Sequence, residues 1–268
     1  MSRPDARTTA TRKTATRKTT ARTTAARPHP IDAAGTDERT WAAWPWLNTL
    51  PGAGLALVSG ARSAVIVAAH PDDEVLGAGG VIAMLAAART QVRLVAVTDG
   101  ERSHRGHASP ASLARRRTGE TASALRALGA RTAEVIRLQV PDTGVAACED
   151  ELTAALAPLV SGFDLCLAPW DHDLHPDHEA AGRAARRARR GNLYHYPVWM
   201  WHWASPGDPR VPWDRAVRVP LPPRAASRKR AAITCFGSQT EDRGHGLGPV
   251  LSQGMIAHFT RAMEVLLP

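Results

Sequence analysis

The stretch AVIVAAHPDDEVLGAGG, residues 64–80, joins a β-branched apolar run directly to a histidine and three acids. Residues 64–69 predict a buried strand, because the run has no polar face. The apolar spacing from Gly77 to Arg89 predicts a helix. A buried strand does not usually end in so much negative charge. His70–Glu74, between strand and helix, is therefore the first candidate for a functional segment.

The following chain repeats this alternation of strand and helix. Further strands are predicted in QVRLVAV (91–97), AEVIRLQV (133–140) and FDLCLAPW (163–170), with helices at 109–129, 148–159 and 177–190. Strands that alternate with helices indicate βαβ units and a mostly parallel sheet. We expect an α/β, Rossmann-like three-layer fold with sheet order 3-2-1-4-5 and C-terminal additions.

The C-terminal third has a different composition, rich in aromatic residues and proline. Trp199, Trp201 and Trp203 alternate along the chain, which predicts one face of a strand that packs in the core or stacks on a sugar. Residues 255–267 predict a last helix. Because no clean linker precedes this third, residues 36–268 are expected to form one domain.

The charge of the chain is concentrated at its N-terminus. Of the formal net charge of +9, residues 1–28 carry +7, with eight basic residues and one acid. The segment lacks large apolar residues after Met1, so we expect a disordered basic Thr/Arg/Ala-rich tail over residues 1–35. Such a tail can contact nucleic acid or anionic surfaces non-specifically, but we favour a solvated tail and expect no other nucleic-acid partner.

The sequence shows no membrane, secretion or disulfide signal, so we expect a cytoplasmic protein. No apolar run approaches the ~18 residues of a membrane-spanning helix, and the tail lacks the apolar region of a signal peptide. Cys148, Cys166 and Cys235 are far apart and odd in number, unlike a disulfide framework or a CxxC metal site.

A second cluster of histidines and acids, WDHDLHPDHE (170–179), follows the fourth predicted strand. Open parallel sheets bind ligands beyond the carboxyl ends of their strands, at a topological switch point. In the order 3-2-1-4-5, strands one and four are neighbours, so the two clusters would meet. Two imidazoles and a carboxylate with an open fourth position form the ligand set of a catalytic zinc, and a neighbouring acid can act as general base.

Two other functions fit parts of the sequence. Two histidines and one carboxylate also describe the ferrous triad of oxygenases, but that triad usually lies on a β-barrel-like scaffold and leaves Asp72 beside Asp73 unexplained. A nucleic-acid-binding protein that uses the basic tail is the other alternative.

Specific motifs add a family resemblance. AHPDDE stands at residues 69–74 and HPDH at 175–178, and weaker segments are TDGE (98–101), RTGE (117–120), PDTG (141–144) and SQ (238–239). From residue 64 to the C-terminus the chain resembles the PIG-L/LmbE-type zinc-dependent N-acetylglucosaminyl deacetylases, which include enzymes of mycothiol, bacillithiol and glycosylphosphatidylinositol synthesis.

The resemblance implies roles for eight residues. His70, Asp73 and His178 would bind one catalytic Zn²⁺, or another divalent metal. Asp72 would be the general base, a cationic His175 would stabilise the oxyanion, and Asp177 would orient His175. Arg117 and Asp142 would contact the substrate.

The implied substrate is a small-molecule N-acylated aminosugar or glycoconjugate, such as a sugar within a secondary metabolite or a glycolipid. Acetyl is the expected acyl group. The segment WDHDL before HPDH differs from the Tyr-Gly approach of the sugar-thiol deacetylases, which argues against a mycothiol-type substrate. The acyl chain and the oligomeric state stay open.

Overall fold

A computed structural model of the chain describes residue 1 and residues 29–52, 54–103, 109–189, 191–243 and 248–268. Most of the basic tail, with its predicted disorder, lies outside these described residues. The end of the tail is described: Pro30–Asp32 form a 3-10 helix, and the backbone N–H of Thr36 donates to the carbonyl of His202 at 2.8 Å.

The strands form one five-stranded parallel sheet and one antiparallel pair. They are β1 Ser63–Ala68, β2 Gln91–Ala96, β3 Glu134–Arg137, β4 Leu165–Pro169, β5 Leu193–Tyr196, β6 Val217–Pro220 and β7 Met263–Leu266. The parallel sheet has the order β3-β2-β1-β4-β5, which confirms the predicted order. The antiparallel pair β6–β7 is the C-terminal addition, and Leu267 bridges it to His195 of β5.

Helices cover both faces of the parallel sheet. They are α1 Glu38–Ala42, α2 Trp46–Thr49, α3 Gly54–Gly60, α4 Asp73–Ala87, α5 Pro110–Leu128, α6 Glu149–Val160, α7 Pro176–Ala188, α8 Met200–Trp203, α9 Pro223–Ile233, α10 Gly237–Thr240 and α11 Gln253–Ala257, with a further 3-10 helix at Val145–Cys148. Helices α4, α5 and α9 pack together, and α6 packs on α7. The fold is therefore the expected three-layer α/β arrangement.

The first strand shows why the sheet is covered on both faces. Ile66 and its alternate neighbours lie in the core that includes α4. Val65 and Val67 lie in the core under α6 and α7. All are fully buried, as a strand without a polar face requires. The strand therefore ends in the interior, and His70–Glu74 begins below the surface.

The helix after this segment starts four residues earlier than predicted. It begins at Asp73 rather than Gly77, with Asp72 at the N-cap. Carboxylates in a first turn are favourable, because the helix N-terminus carries partial positive charge. The helix is also interrupted, since Ala78 has non-helical angles of φ −136° and ψ 15°. The acids thus lie in a short first segment of α4, separated by a break from the rest.

The long helix α5 has the predicted ends. The Ser109 side chain accepts the backbone N–H of Ser112, Pro110 occupies the first turn, and Gly129 ends the helix at φ +87°. These are the residue types that favour a helix start and stop. The boundaries of α5 matter for function, because Arg117 projects from it toward the strand ends.

Two predictions for the C-terminal third are wrong. Met200–Trp203 form a helix instead of a strand, so the alternate tryptophans do not share a strand face. The predicted last helix over residues 255–267 divides into α11 and β7. In both cases local pattern is overridden by tertiary contacts: Trp201 packs edge-on against Trp41 at 5.1 Å between ring centroids, and β7 pairs with β6.

Candidate metal centre

The candidate residues converge at the carboxyl ends of the parallel strands. His70–Glu74 follow β1 and His175–His178 begin α7 after β4, while Asp142 follows β3. Because β1 and β4 pair directly, the two histidine clusters lie side by side, as the switch-point rule predicts. Here they line a cavity of about 190 Å³.

Three side chains in this cavity, here called the triangle, bring metal-ligand atoms close together, and a different oxygen of Asp73 faces each histidine. His70 Nδ1 lies 3.3 Å from His178 Nε2. Asp73 Oδ1 lies 3.2 Å from His178 Nε2, and Asp73 Oδ2 lies 3.5 Å from His70 Nδ1. Atoms that bind a tetrahedral zinc at about 2.0–2.1 Å lie roughly 3.3–3.4 Å from one another. His70, Asp73 and His178 therefore fit the predicted ligand set.

Two other groups that share His70 offer alternatives, and His70 Nε2 lies 3.3 Å from Asp142 Oδ1 and 3.2 Å from Asp177 Oδ2. His70 with His175 and His178, and His70 with Asp142 and Asp177, each bring three ligand atoms within 4.8 Å. We favour the triangle of His70, Asp73 and His178 because the family resemblance implies these ligands and because Asp173 binds His178 Nδ1, which leaves Nε2 free for a metal. His175 then lies beside it, with its ring centroid 4.5 Å from that of His178.

The residues of the triangle shift one another's pKa values. Burial opposes ionisation of Asp73, but His178 and His70 outweigh it and lower the pKa of Asp73 well below its ordinary value. Burial also disfavours a charged His178, yet Asp73 and Asp173 raise its pKa to about 9. A cation at the triangle would replace these protons, because metal ligands bind in their deprotonated forms.

Asp173, in the segment that departs from the sugar-thiol deacetylases, has a defined place behind the triangle. Its carboxylate accepts His178 Nδ1–H at 2.8 Å. It also accepts the backbone N–H groups of Val198, Trp199 and Met200, at 3.2, 2.9 and 2.8 Å. A carboxylate behind a histidine fixes the tautomer that leaves Nε2 free for a metal. Its position two residues before HPDH was the available sequence signal.

We predict that Asp173→Asn weakens zinc binding by about 10–100-fold, the effect expected when an orienting carboxylate is lost. Competition with a chromogenic zinc chelator measures the affinity, and circular dichroism confirms the fold. Zinc affinity equal to that of the unaltered chain would show that Asp173 only holds the start of α8.

Asp72 is held in a strained turn beside the triangle. Its φ of +130° lies in a region that side-chain-bearing residues rarely adopt, at a cost of about 1–3 kcal/mol. Glu74 Oε2 accepts the Asp72 N–H at 3.1 Å, so Glu74 braces the turn. Arg117 Nη2 lies 3.4 Å from Asp72 Oδ1 and donates to the Pro71 carbonyl at 2.6 Å.

The buried surroundings of this turn change its protonation. Burial raises the pKa of Asp72 to about 7, although the Arg117 guanidinium acts in the opposite direction. Burial raises the pKa of Glu74 to about 8, and the charge of Asp72 adds to this. Asp72 can therefore exchange a proton near neutral pH, while Glu74 is mostly protonated there.

The charge of His175 differs from the cationic state that the resemblance implies. Burial, together with the positive charges of His178 and His70, lowers the pKa of His175 to about 2. The imidazole is therefore neutral rather than cationic, and a bound metal cation would act in the same direction. Its ring lies nearly parallel to that of Trp199, at 6.4 Å between centroids.

The Asp177 side chain contacts His70, although the resemblance predicts that it orients His175. Its Oδ2 is 3.2 Å from His70 Nε2 and accepts the Thr143 N–H at 2.8 Å. Its Oδ1 accepts the Val145 N–H at 3.2 Å. Among the described residues, His175 Nδ1 is buried without a hydrogen-bond partner. The role of Asp177 toward His175 stays a prediction from the resemblance.

The two predicted substrate residues, Arg117 and Asp142, both line the cavity. Arg117 is only 2% exposed and is not part of a solvated face. Asp142 Oδ1 lies 3.3 Å from His70 Nε2; burial opposes its ionisation, but the hydrogen bond from His70 lowers the pKa of Asp142 to about 2. Arg102, which the sequence did not single out, lines the same cavity, as does Trp199, for which sugar stacking was one of the two predicted roles.

Comparison with known proteins finds a family match over the part of the chain that contains this site. Residues 65–189 match the family model described as PIG-L: GlcNAc-PI de-N-acetylase. A 1D-myo-inositol 2-acetamido-2-deoxy-alpha-D-glucopyranoside deacetylase of Kineococcus radiotolerans is 42% identical over 73 residues. That match spans 25% of this chain and 20% of the Kineococcus protein.

Solved structures share the fold. The conserved protein TT1542 from Thermus thermophilus is 27% identical, with a TM-score of 0.52, over 73% of this chain and 84% of that one. N,N'-diacetylchitobiose deacetylase from Pyrococcus horikoshii is 20% identical, with a TM-score of 0.53, over 76% and 80% of the two chains. At that identity the second likeness concerns the fold alone.

Proposed function

We propose that this chain is a metal-dependent hydrolase that removes the acetyl group of an N-acetylated aminosugar or its conjugate, because residues 65–189 match the PIG-L family model. The observation that carries the proposal is the triangle of His70, Asp73 and His178, with interatomic distances of 3.2–3.5 Å. Asp72 lies beside it in the same cavity.

Zinc is the proposed metal, held by His70, Asp73 and His178, although other divalent ions suit these ligands. A bound zinc supplies Lewis acidity, which lowers the pKa of a water molecule and polarises the amide carbonyl. The donor set combines imidazole nitrogens with a carboxylate, and Asp173 accepts a hydrogen bond from His178. This arrangement resembles other catalytic zinc sites.

Asp72 is the proposed general base. It takes a proton from the attacking water as the water oxygen bonds to the acetyl carbon. It then delivers that proton to the amine nitrogen as the carbon–nitrogen bond breaks, which leaves acetate and a free amine. A base works best when its pKa lies near the working pH, and burial places the pKa of Asp72 at about 7.

His175 is the proposed donor to the former carbonyl oxygen. Since it is neutral, one ring nitrogen carries a proton and can donate a hydrogen bond as negative charge develops on that oxygen. Burial costs a neutral donor less desolvation free energy than it would cost an imidazolium. The nearly parallel Trp199 ring limits where the His175 ring can move.

We expect kcat/KM to rise with pH to a plateau, with a midpoint near pH 7, since Asp72 must be deprotonated to act as base. Because Arg117 lowers the pKa of Asp72, Arg117→Gln should move the midpoint to higher pH, whatever its effect on KM. Initial rates from pH 5 to 9 measure the midpoint. A midpoint that stays in place or moves to lower pH would remove Arg117 from this role.

A substrate screen tests the proposed function directly. The full chain, loaded with zinc, is incubated with N-acetylglucosamine and with N-acetylglucosamine linked to inositol, lipid and glycopeptide aglycones. We expect at least one compound to release free amine and acetate in equal amounts. If none releases acetate while the protein is folded and holds zinc, the proposed function is wrong.

The basic tail and the cellular location stay predictions. Nucleic-acid binding through the tail is tested by deletion of residues 1–28, which should abolish any DNA binding and leave hydrolysis in place. In the part of the chain that the structure describes, no helix has the length and apolar character needed to cross a bilayer. The cytoplasmic location is proposed from the sequence.

A further inference from the structure

The first helical segment of α4, which carries Asp73, is separated from the second segment by the break at Ala78. In an uninterrupted helix, the Gly80 N–H would donate to the Leu76 carbonyl, four residues earlier. A break without substitute partners would leave these buried polar groups unpaired. Two side chains from the C-terminal third supply partners.

Lys229 of α9 and Glu264 of β7 occupy the missing hydrogen bond. Lys229 Nζ donates to the Leu76 carbonyl at 2.7 Å, and it lies 2.7 Å from Glu264 Oε1. Glu264 Oε1 accepts the Gly80 N–H at 2.7 Å, and Oε2 accepts the Val81 N–H at 2.8 Å. The ion pair therefore runs from carbonyl to amide across the break.

Both charges are deeply buried, with Lys229 3% and Glu264 4% exposed. A buried ion pair has a desolvation penalty and adds little net stability compared with apolar residues of the same volume. Its hydrogen bonds, however, fix the distance between the two segments of α4. This points to a positional role beyond a contribution to stability.

The neighbouring glycines allow this close approach. A Cβ on Gly79 would lie 3.2 Å from Lys229 Cγ, and one on Gly80 would lie 2.4 Å from Leu221. A Cβ on Gly77 would lie 2.1 Å from the Tyr196 ring. The glycine-rich sequence after the acids thus lets side chains from later parts of the chain approach the α4 backbone.

The first segment connects the ion pair to the metal centre over one helical turn. The Leu76 N–H donates to the Asp72 carbonyl at 2.9 Å, and the Leu76 side chain lines the cavity. The Leu76 carbonyl, at the other end of the same residue, is held by Lys229. A shift of the break would therefore move Asp72 and Asp73.

We propose that Lys229 and Glu264 are positioning residues that fix Asp72 and Asp73 at the metal centre by bridging the break in α4. Both lie beyond residues 65–189, so the domain matched by the family model depends on the C-terminal third for its geometry. The activity part of the test rests on the proposed function, whereas the metal-affinity part does not.

The test compares Lys229→Met and Glu264→Gln with Leu156→Ala as control. Leu156 is fully buried in the core on the opposite face of the sheet, so its truncation lowers stability without contact with α4. Zinc affinity is measured by chelator competition, and kcat and KM on any substrate found, all below the unfolding temperature of every variant.

We expect both pair variants to weaken zinc binding by about 10-fold or more, the range for residues that orient ligands, and to lower kcat more than they raise KM. Leu156→Ala should lower the melting temperature and leave zinc affinity and kcat close to those of the unaltered chain. Equal zinc affinities in the pair variants and the control would overturn the proposal.

The double variant Lys229→Met/Glu264→Met separates the positioning role of the ion pair from its contribution to stability. It leaves no unpaired buried charge, so its melting temperature should recover relative to the single variants. We expect the Gly80 N–H to bond directly to the Leu76 carbonyl in this variant, which would close the break and keep zinc affinity low. Recovery of both stability and zinc affinity would contradict the positioning role. If the unaltered chain binds zinc but hydrolyses nothing, the affinity comparison still decides the proposal.

Discussion

Asp72→Asn should lower kcat by about 10²–10⁴-fold, the usual contribution of a general base, while zinc binding stays within roughly threefold of that of the unaltered chain. The amide has the shape of the carboxyl group but cannot take the proton of the attacking water. The metal triangle excludes Asp72, because its short distances join His70, Asp73 and His178. Steady-state kinetics and metal analysis on the same sample measure both quantities.

Asp171→Asn is the matched control for this substitution. Asp171 is also a buried carboxylate after β4, but it pairs with Arg186 at 2.9 Å and with His172 at 2.9 Å. Its substitution should leave kcat close to that of the unaltered chain. Near-normal turnover in Asp72→Asn, or an equal loss in both variants, would show that Asp72 is not the base.

His178→Ala should remove zinc from the protein and lower turnover by more than about 100-fold, the upper range for a residue that only orients a ligand. His178 Nε2 lies within 3.3 Å of ligand atoms on both His70 and Asp73, so the substitution opens the triangle. Metal content after gel filtration and activity with added zinc measure the effect.

His195→Ala is the control for loss of a buried imidazole. His195 is fully buried on β5 and donates from Nδ1 to the Pro169 carbonyl at 2.8 Å. This variant should be less stable but should keep its zinc. If His178→Ala retains a full complement of zinc, His178 is not a ligand, and the alternative group of His70 with Asp142 and Asp177 becomes the candidate.

The sheet and its switch point could be predicted because the signals are local. β1 is a continuous apolar run, and the helix between strands has recognisable ends at Ser109 and Gly129. The C-terminal third was predicted less well, because its elements are set by tertiary contacts. Residues 263–266 form a strand because β6 lies beside them, which the sequence around them does not encode.

Some site residues could likewise be predicted from the sequence, and others could not. The two clusters that contain His70, Asp73 and His178 could be predicted because each follows a strand end, where parallel sheets gather ligands; the choice of these three residues came from the family resemblance. The place of Asp173 could not be predicted, because its bond to His178 depends on the path of the turn before α7. The burial of Arg117 depends on Gly100, whose φ of +64° brings its backbone within reach of the guanidinium.

The most direct test of a metal-dependent hydrolase is a zinc back-titration of the chelator-stripped full chain, followed by acetate release from an N-acetylated aminosugar conjugate. The stripped protein should be folded and inactive. Activity should rise linearly with added zinc and level off at about one equivalent, as expected for a single catalytic ion. Full acetate release by the stripped protein, or zinc binding at one equivalent that restores none, would contradict the account.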